Sequence, residues 1–385
     1  FVIMKKSMKT LLVAFLSLAG LNARADVTPV TPSLDDDGVY QIGTAAELLG
    51  FAALVNGDTS NRGASAVLTA DIDMTDAVWT PIADATQNAF TGVFDGKSHT
   101  VTLSMSASSS NGRCGLFGNV AVGAEIKNVT VAGSFIATEP NAAGLIGQIV
   151  TASSGVVTVT NCTNTATVTY GGTDTDDAVN LGGLIGRAQA PLTLTGCTNS
   201  GDVIDEKGAS GKDRQVAGIV GFPGYVTMTF SKCTNSGSIK STGKHAGGLV
   251  GWFEGATSGT MTHSVAECTN TGLITAASQV GGLVGGSGGR TAVNYTSCTN
   301  NGAVSASGEG CGGIQGCNNT GCITFTSCVN EGVIESSASR VAGLIGFYAL
   351  SGPTSADLGT LTVSDSHNSG TVTSSAGSNG VGGLV

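Results

Sequence analysis

The stretch CTNTGLITAASQVGGLVG, residues 268–285, recurs with variations along most of this 385-residue chain. Seven copies place a Cys or Ser two positions before an Asn and a few residues before a β-branched apolar residue. Repetition at a period of about 30 to 40 residues predicts one supersecondary unit that is stacked many times. The Cys column comprises Cys162, Cys197, Cys233, Cys268, Cys298 and Cys328, with Ser366 in the seventh copy, and the Asn column comprises Asn164, Asn199, Asn235, Asn270, Asn300, Asn330 and Asn368.

A glycine-rich run forms the second half of each unit. Two glycines, or Ala-Gly, precede two aliphatic residues and a further Gly, as in GGLVG at 281–285. Glycines at fixed points permit tight corners and a close approach of neighbouring coils. The Gly before the aliphatic pair is Gly115, Gly144, Gly183, Gly218, Gly248, Gly282, Gly313, Gly343 and Gly383.

Apolar residues alternate with Thr, Ser or Asn just before each Cys, as at Leu192 and Leu194. This period of two predicts a strand with one buried face. The alternation breaks between the third residue before Cys and Cys itself, which predicts a bend or bulge there. The Asn and Gly then mark a turn, and two more short strands follow, one beginning six residues after Cys and one in the glycine-rich run.

Three short strands and three turns per unit predict an all-β fold, a right-handed parallel β-helix or β-solenoid. We expect roughly nine coils from about Ala66 to Val385, with a length of about 40 Å at the usual inter-strand spacing. Stacked coils turn each sequence column into a ladder of like side chains. The Asn column is interpreted as an internal hydrogen-bonded ladder, with ligand contact as the alternative.

The glycine-rich run resembles that of the GLUG-motif repeat proteins. The resemblance extends upstream to VYQIGTAAELLGFAALVNG at 39–57, AVLTADIDM at 66–74, VWTPIA at 78–83 and FTGVFDGKSHTV at 90–101. It implies a bacterial secreted or cell-surface protein with an adhesin-like parallel β-helix. Because that family is defined mainly by its architecture, the resemblance implies little about a ligand.

The N-terminal sequence predicts the compartment and the domain order. Lysines before an apolar run and the Ala23-Arg24-Ala25 triplet indicate a secretory signal peptide at residues 1–25, cleaved after Ala25. Residues 26–40 are predicted to be a flexible acidic and Pro-containing linker, and residues 41–65 to hold a capping helix that begins at a Thr44 capping box. Residues 66–385 form the repeat array, which stops inside a motif and looks truncated at the C-terminus. The protein is therefore expected to be secreted or on the cell surface.

The charge and the cysteine pattern limit which partners and cofactors are expected. The net charge of −10, with no basic stripe, argues against nucleic acid, and no apolar run after the signal is long enough to insert in a membrane. The ladder cysteines are expected to be reduced thiols, because Ser366 replaces Cys in one copy. A disulfide between Cys317 and Cys322 is kept as an alternative. These two and Cys311 lack a CxxC pair and a nearby His, so no metal and no cofactor are expected.

An enzymatic alternative rests on two insertions. One carries Asp174, Asp176 and Asp177, and the other carries a mixed set of charges. Paired carboxylates on adjacent coils could act as acid and base on a polysaccharide or bind calcium, but solvated loop charges are the favoured interpretation. The charges of the second insertion are Asp205, Glu206, Lys207, Lys212, Asp213 and Arg214.

Aromatic residues after the glycine-rich run are the candidate ligand-binding residues. Aromatic rings outside a core offer contact area at low entropy cost, although they also pack beneath loops. The sequence therefore predicts a non-enzymatic, adhesin-like solenoid that binds a glycan or host-surface ligand, with Trp252 as the principal contact. The alternatives are a polysaccharide-active β-helix and the N-terminal array of a larger secreted enzyme. The candidate residues are Phe222, Trp252, Phe253, Phe347 and Tyr348.

Overall fold

A computed structural model describes residues 27–106, 113–138, 140–172, 179–207, 212–256, 260–349, 359–375 and 380–385. The predicted signal peptide, residues 1–25, lies outside these residues. The predicted parallel β-helix is confirmed, because strands of successive coils pair in parallel into long stacked sheets. Only the first strand pair, Ser33–Leu34 with Tyr40–Ile42, is antiparallel among the named strands.

Two of the four sheets are built from the Cys and Asn half of the repeat. Sheet 1 contains Ser33–Leu34, Tyr40–Ile42, Ala66–Leu68, Val93–Asp95, Glu125–Lys127, Val157–Thr160, Leu192–Thr195, Met228–Ser231, Met261–Ala266, Thr291–Thr296, Gly321–Thr326 and Leu361–Ser364. Sheet 2 contains Ile72–Met74, Thr100–Ser106, Thr130–Ala137, Thr163–Asn164, Thr167–Tyr170, Thr198–Asn199, Val203–Asp205, Thr234–Asn235, Ile239–Ser241, Thr269–Asn270, Ile274–Ala276, Thr299–Asn300, Val304–Ala306, Val329–Asn330, Ile334–Ser336, His367–Asn368 and Val372–Ser374.

The other two sheets flank the glycine-rich corner. Sheet 3 contains Arg113–Cys114, Asn141–Ala143, Val179–Gly182, Arg214–Ala217, Lys244–Gly247, Ser278–Gly281, Cys311–Gly312, Val341–Ala342 and Val381–Gly382. Sheet 4 contains Phe117–Val120, Ile146–Ile149, Ile185–Ala188, Val220–Pro223, Val250–Phe253, Val284–Ser287, Gln315–Asn318 and Ile345–Tyr348. The nine strands of sheet 3 and eight of sheet 4 agree with the predicted number of coils.

The predicted bend before each Cys is confirmed, and its cause is a left-handed residue. The residue directly before the Cys has a positive φ in every copy, for example 53° at Glu267 and 63° at Gly196. One residue in this region turns the chain sharply, so the apolar residues before the bend and the Cys after it all point inward. The other residues at this position are Asn161, Lys232, Ser297, Ser327 and Asp365.

One α-helix, Ala45–Gly57, covers the first coils, as the capping box predicted. The Thr44 hydroxyl accepts from the Glu47 backbone N–H at 3.2 Å, and the Glu47 carboxylate accepts from the Gly43 N–H at 2.9 Å. Phe51 on the buried face of the helix lies 6.4 Å from Phe90 and Phe94, measured between ring centroids. The helix therefore covers the end of the apolar lumen. Two short 3-10 helices, Thr59–Gly63 and Thr86–Asn88, complete the helical elements of the described residues.

The lumen of the solenoid is the hydrophobic core. Val, Leu, Ile and Phe side chains from all four sheets fill it and are almost completely buried. Within the described part of the chain, no helix is long and apolar enough to cross a membrane.

Candidate functional site

The Asn column forms a continuous ladder inside the solenoid. The Asn235 amide donates to the carbonyl oxygen of Gly237 at 2.9 Å and to Oδ1 of Asn270 at 2.8 Å, and its own Oδ1 accepts from Asn199 at 2.8 Å. The same pattern runs from Asn164 to Asn368. The amides from Asn164 to Asn330 are fully buried and hydrogen-bonded within their own coil and to the neighbouring coils, so these side chains do not face a ligand.

The Cys column satisfies the backbone at the bend. The Cys298 thiol lies 3.4 Å from the carbonyl oxygen of Thr296, two residues earlier, and 3.2 Å from that of Val265. Ser366 makes the equivalent hydroxyl bond to Ser364 at 2.8 Å. The position therefore requires a small side chain that can donate a hydrogen bond. None of the ten cysteines, all of which the structure describes, forms a disulfide, and this includes Cys317 and Cys322. Burial raises the pKa of the Cys162 thiol to about 12.

An open groove of about 800 Å³ crosses five coils on sheet 2. Its floor is a column of small residues, and two flanking columns of mostly Ser and Thr form its sides. At the usual spacing of strands, five coils give the groove a length of about 19 Å. The floor residues are Ser241, Ala276, Ala306, Ser336 and Ser374, and the flanking residues are Thr242, Thr275, Ala277, Ser305, Ser307, Glu335, Ser337, Thr373 and Ser375.

The groove hydroxyls have a common orientation. Ser307 Oγ donates to the carbonyl oxygen of Ala277 at 3.2 Å, and Ser337 Oγ donates to that of Ser307 at 2.8 Å. Because these protons are bonded to the preceding coil, the hydroxyl oxygens keep lone pairs with which they can accept. Of the described lining residues, only Glu335 carries a charge. The groove is thus a nearly neutral track of hydrogen-bond acceptors, a feature that the sequence analysis missed.

Trp252 is a packing residue rather than an exposed one. Its side chain is only 8% exposed, and its ring lies 4.4 Å from the His245 ring. The following coil makes room for the indole with two glycines: a methyl at Gly286 or Gly288 would lie 2.6 Å from Trp252 carbons. The prediction that Trp252 is the principal surface contact is therefore wrong, because its ring is covered by its own neighbours.

Phe253 points into the lumen and is fully buried, so its assignment to the outer surface is also wrong. Sheet 4 strands turn both their first and their fourth residue inward, as Val250 and Phe253 show. The simple alternation expected for a strand fails here. Phe253 packs against Phe230 and His263 inside the core.

The remaining aromatic candidates are half-buried and separated along the solenoid. The Arg187 guanidinium lies 5.7 Å from the Phe222 ring centroid, and that of Arg340 lies 4.1 Å from the Phe347 centroid. The Tyr348 hydroxyl donates to the carbonyl oxygen of Gly321 at 2.8 Å. The five candidates therefore do not form one surface. Tyr225, 62% exposed beside the Pro223-Gly224 turn, is an accessible aromatic that the sequence analysis did not select.

Two charges assigned to a solvated insertion form a buried ion pair. Arg214 Nη1 lies 2.8 Å from Asp205 Oδ1, both side chains are inaccessible to solvent, and the guanidinium lies 5.3 Å from the Tyr170 ring centroid. The expectation of solvated loop charges is wrong for this pair, because Asp205 and Arg214 belong to the strands Val203–Asp205 and Arg214–Ala217 on either side of the insertion and are both buried there. Burial raises the pKa of the Asp205 carboxyl, and Arg214 opposes this effect. Glu206, by contrast, is exposed and pairs with Lys240.

The acidic candidates for catalysis stay unassigned. Asp174, Asp176 and Asp177 lie outside the described residues. Among the residues that the structure describes, no three His, Cys, Asp or Glu side chains are grouped so as to hold a metal ion.

Comparison with known proteins gives limited matches. No family model matches the chain. Halomucin from Haloquadratum walsbyi is 30% identical in an alignment 231 residues long, which covers 57% of this chain and 2% of halomucin. Among solved structures, the protein described as a "putative immunoglobulin A1 protease" from Bacteroides ovatus is similar, with a TM-score of 0.51 and 16% identity over 88% of this chain and 87% of that one. The structural match supports the β-solenoid fold alone.

Proposed function

We propose that this chain is a secreted or cell-surface, adhesin-like β-solenoid that binds an extended glycan without cleaving it. The observation that carries the proposal is the groove across five coils, to which each coil contributes small residues, most of them Ser, Thr or Ala. A repeating groove suits a repeating ligand, because each coil can make the same contact with one unit of a polymer.

The chemistry of the groove favours a neutral polysaccharide. Sugar hydroxyls are hydrogen-bond donors, and the groove presents hydroxyl oxygens as acceptors along its length. One hexopyranose unit advances by a distance similar to that between neighbouring coils, so an extended chain would keep in register. A polyanion would gain no cation from this groove and would meet Glu335.

Membership of the GLUG-motif family and secretion through the N-terminal signal are parts of this proposal. The repeat columns support the first. Tyr225 and the half-buried Phe222 are proposed as a secondary contact, because the two aromatic residues lie at and just after the end of strand Val220–Pro223.

A second candidate function is an array that belongs to a secreted protease. The structural neighbour's description motivates this candidate, and the match extends over 88% of the chain. Incubating the purified chain with immunoglobulin A1 tests it directly. Cleavage products in that reaction would favour the protease and contradict the non-enzymatic proposal.

The groove proposal is tested by screening the purified chain on an array of neutral and acidic oligosaccharides, followed by titration calorimetry with the best neutral one. Ser307→Trp places a large side chain in the groove and should weaken binding by tenfold or more. Ala303→Trp is the matched control, since Ala303 is an exposed residue on the same coil that does not line the groove. Equal binding by the two variants, or no binding to any neutral glycan, would reject this site.

A further inference from the structure

Strand Val250–Phe253 is held between two histidines. On its outer face, Trp252 stacks on His245 with 4.4 Å between ring centroids and 32° between planes. On its inner face, Phe253 stacks on His263 with 4.1 Å and 23°. Both histidines are buried, His263 completely. One strand of the solenoid thus carries an imidazole ring on each side.

We propose that the coil described by residues 244–256 and 260–266 is an acid-sensitive segment, in which protonation of His245 and His263 releases strand Val250–Phe253 and uncovers Trp252 and Phe253. The rest of the solenoid stays stacked under the same conditions. This behaviour follows from the surroundings of each imidazole.

His263 lies in the apolar lumen, where no described group stabilises a charged imidazolium. Its neighbours in the column are Met228 and Val293, and neither of its ring nitrogens has a hydrogen-bond partner among the described residues. The strands packed against it carry one titratable group, Tyr295, whose hydroxyl donates to Gln315. No carboxylate is available to an imidazolium there. Burial accordingly lowers the pKa of His263 to about 3.

His245 lies outside the lumen but is also covered. Burial lowers its pKa to about 4, Asp213 and a hydrogen bond with Gln279 oppose this shift, and Lys244 adds to it. Asp213 is already paired with Lys244 at 3.5 Å, and Arg214 on the preceding strand is paired with Asp205.

The strand that follows, Ser278–Gly281, carries no charged residue, and Gln279 lies next to His245 in the ladder. Glu254 accepts a hydrogen bond from the Trp252 indole N–H at 3.3 Å, and burial raises the pKa of this carboxyl. As the pH falls, Glu254 therefore becomes neutral at a higher pH than an ordinary Glu. Once neutral, Glu254 provides no negative charge near His245.

The direction of the pH effect follows from these pKa values. In an opened coil both histidines regain a pKa near 6.5, so the opened state binds protons below that pH while the closed state does not. The closed coil is therefore fully favoured above about pH 6.5 and loses stability as the pH falls toward 4 and then 3. At about pH 4.5, each histidine shifts the equilibrium toward the opened coil by roughly a hundredfold.

The test is hydrogen–deuterium exchange of the full chain, followed by mass spectrometry, at pH 7.5 and pH 4.5. Rates are corrected for the intrinsic effect of pH on exchange. Peptides from 244–266 should lose protection at least tenfold more than peptides from Thr291–Thr296 and Gly321–Thr326. The double variant His245→Gln and His263→Leu should abolish this difference, because it restores side chains of the kinds found at these ladder positions, such as Gln279 and Ile323.

His367→Gln is the control, since His367 is exposed and its replacement should leave the acid response unchanged. Protection at pH 7.5 establishes that each variant is folded, and His263→Val, which copies Val293 of the next coil, replaces the leucine if the double variant fails this check. A loss of protection spread equally over all coils would overturn the proposal. So would a local loss that persists without the two histidines, because carboxyl groups would then be its cause.

Discussion

Gly282 lies directly against the side chain of Asn300 in the next repeat: a methyl group at position 282 would lie 2.4 Å from Asn300 Oδ1 and 2.2 Å from the carbonyl oxygen of Gly313. The same contact recurs between Gly183 and Asn199 and between Gly218 and Asn235. One contact between neighbouring coils therefore explains both the Asn column and the column of Gly residues before the aliphatic pair.

Gly282→Ala is expected to destabilise the solenoid by about 2 to 3 kcal/mol. The added methyl would collide with the backbone of Gly313 and with the Asn300 side chain, and the Asn ladder holds that side chain in place. Gly383→Ala is the matched control at the same motif position, where nothing lies within 4 Å of the added atom. Urea unfolding of the two variants measures the difference. Similar midpoints would show that the Asn column has room to move.

Asn235→Ala should cost on the order of 1 to 3 kcal/mol, because it leaves buried partners on both neighbouring coils without their hydrogen bonds. Asn368→Ala should cost less, since Asn368 is the last member of the ladder among the described residues and is only half-buried. Thermal and urea unfolding provide the comparison. Small and equal effects at both positions would contradict an internal ladder.

Cys298→Ser should retain most of the stability, because a hydroxyl can donate to the Thr296 carbonyl as Ser366 donates to Ser364. Cys298→Val keeps the size but removes the donor, so it should lose about 1 kcal/mol or more. If the valine variant were the more stable of the two in urea, apolar packing alone would account for the Cys column.

Arg214→Met should lower the free energy of unfolding by about 3 to 5 kcal/mol, because the buried Asp205 carboxylate would lose its only ion-pair partner among the described residues. Adding Asp205→Ser, which copies Ser241 in the next coil, should recover a large part of this loss. Calorimetric unfolding at neutral pH measures both variants. The absence of any recovery would mean that the arginine acts through its packing on Tyr170.

Trp252→Ala should reduce stability by about 3 kcal/mol or more, because the indole fills the space above Gly286 and Gly288. Tyr225→Ala is the control, since its ring is mostly exposed. Unfolding of the two variants by guanidinium separates them. Comparable stability would restore Trp252 as a candidate surface contact.

The fold could be predicted because stacking imposes the same demand on every coil. The broken alternation before Cys, seen for example between Leu194 and Cys197, was enough to predict a bend, and the structure supplies the left-handed residue that makes it. The capping helix was equally clear, since Thr44 and Glu47 form a local signal.

The candidate site was harder to predict because it depends on side chains from different coils. Asp205 and Arg214 look like loop charges in the sequence, but they lie on neighbouring strands and form a buried ion pair. Phe253 was misplaced because sheet 4 strands turn their first and fourth residues inward. The groove has no signature within a single repeat, as its floor is made of one small residue from each of five coils.

Each coil pairs only with its immediate neighbours, and this affects how the gene can lose or gain repeats. Joining Glu267 to Cys298, for example, would remove one unit of thirty residues yet leave the same kinds of residue facing each other across the new junction. Recombination between repeats can therefore shorten or lengthen the array by whole units with little loss of structure. The length of the solenoid, and with it the length of any groove along its surface, can therefore evolve separately from the residues that line the groove.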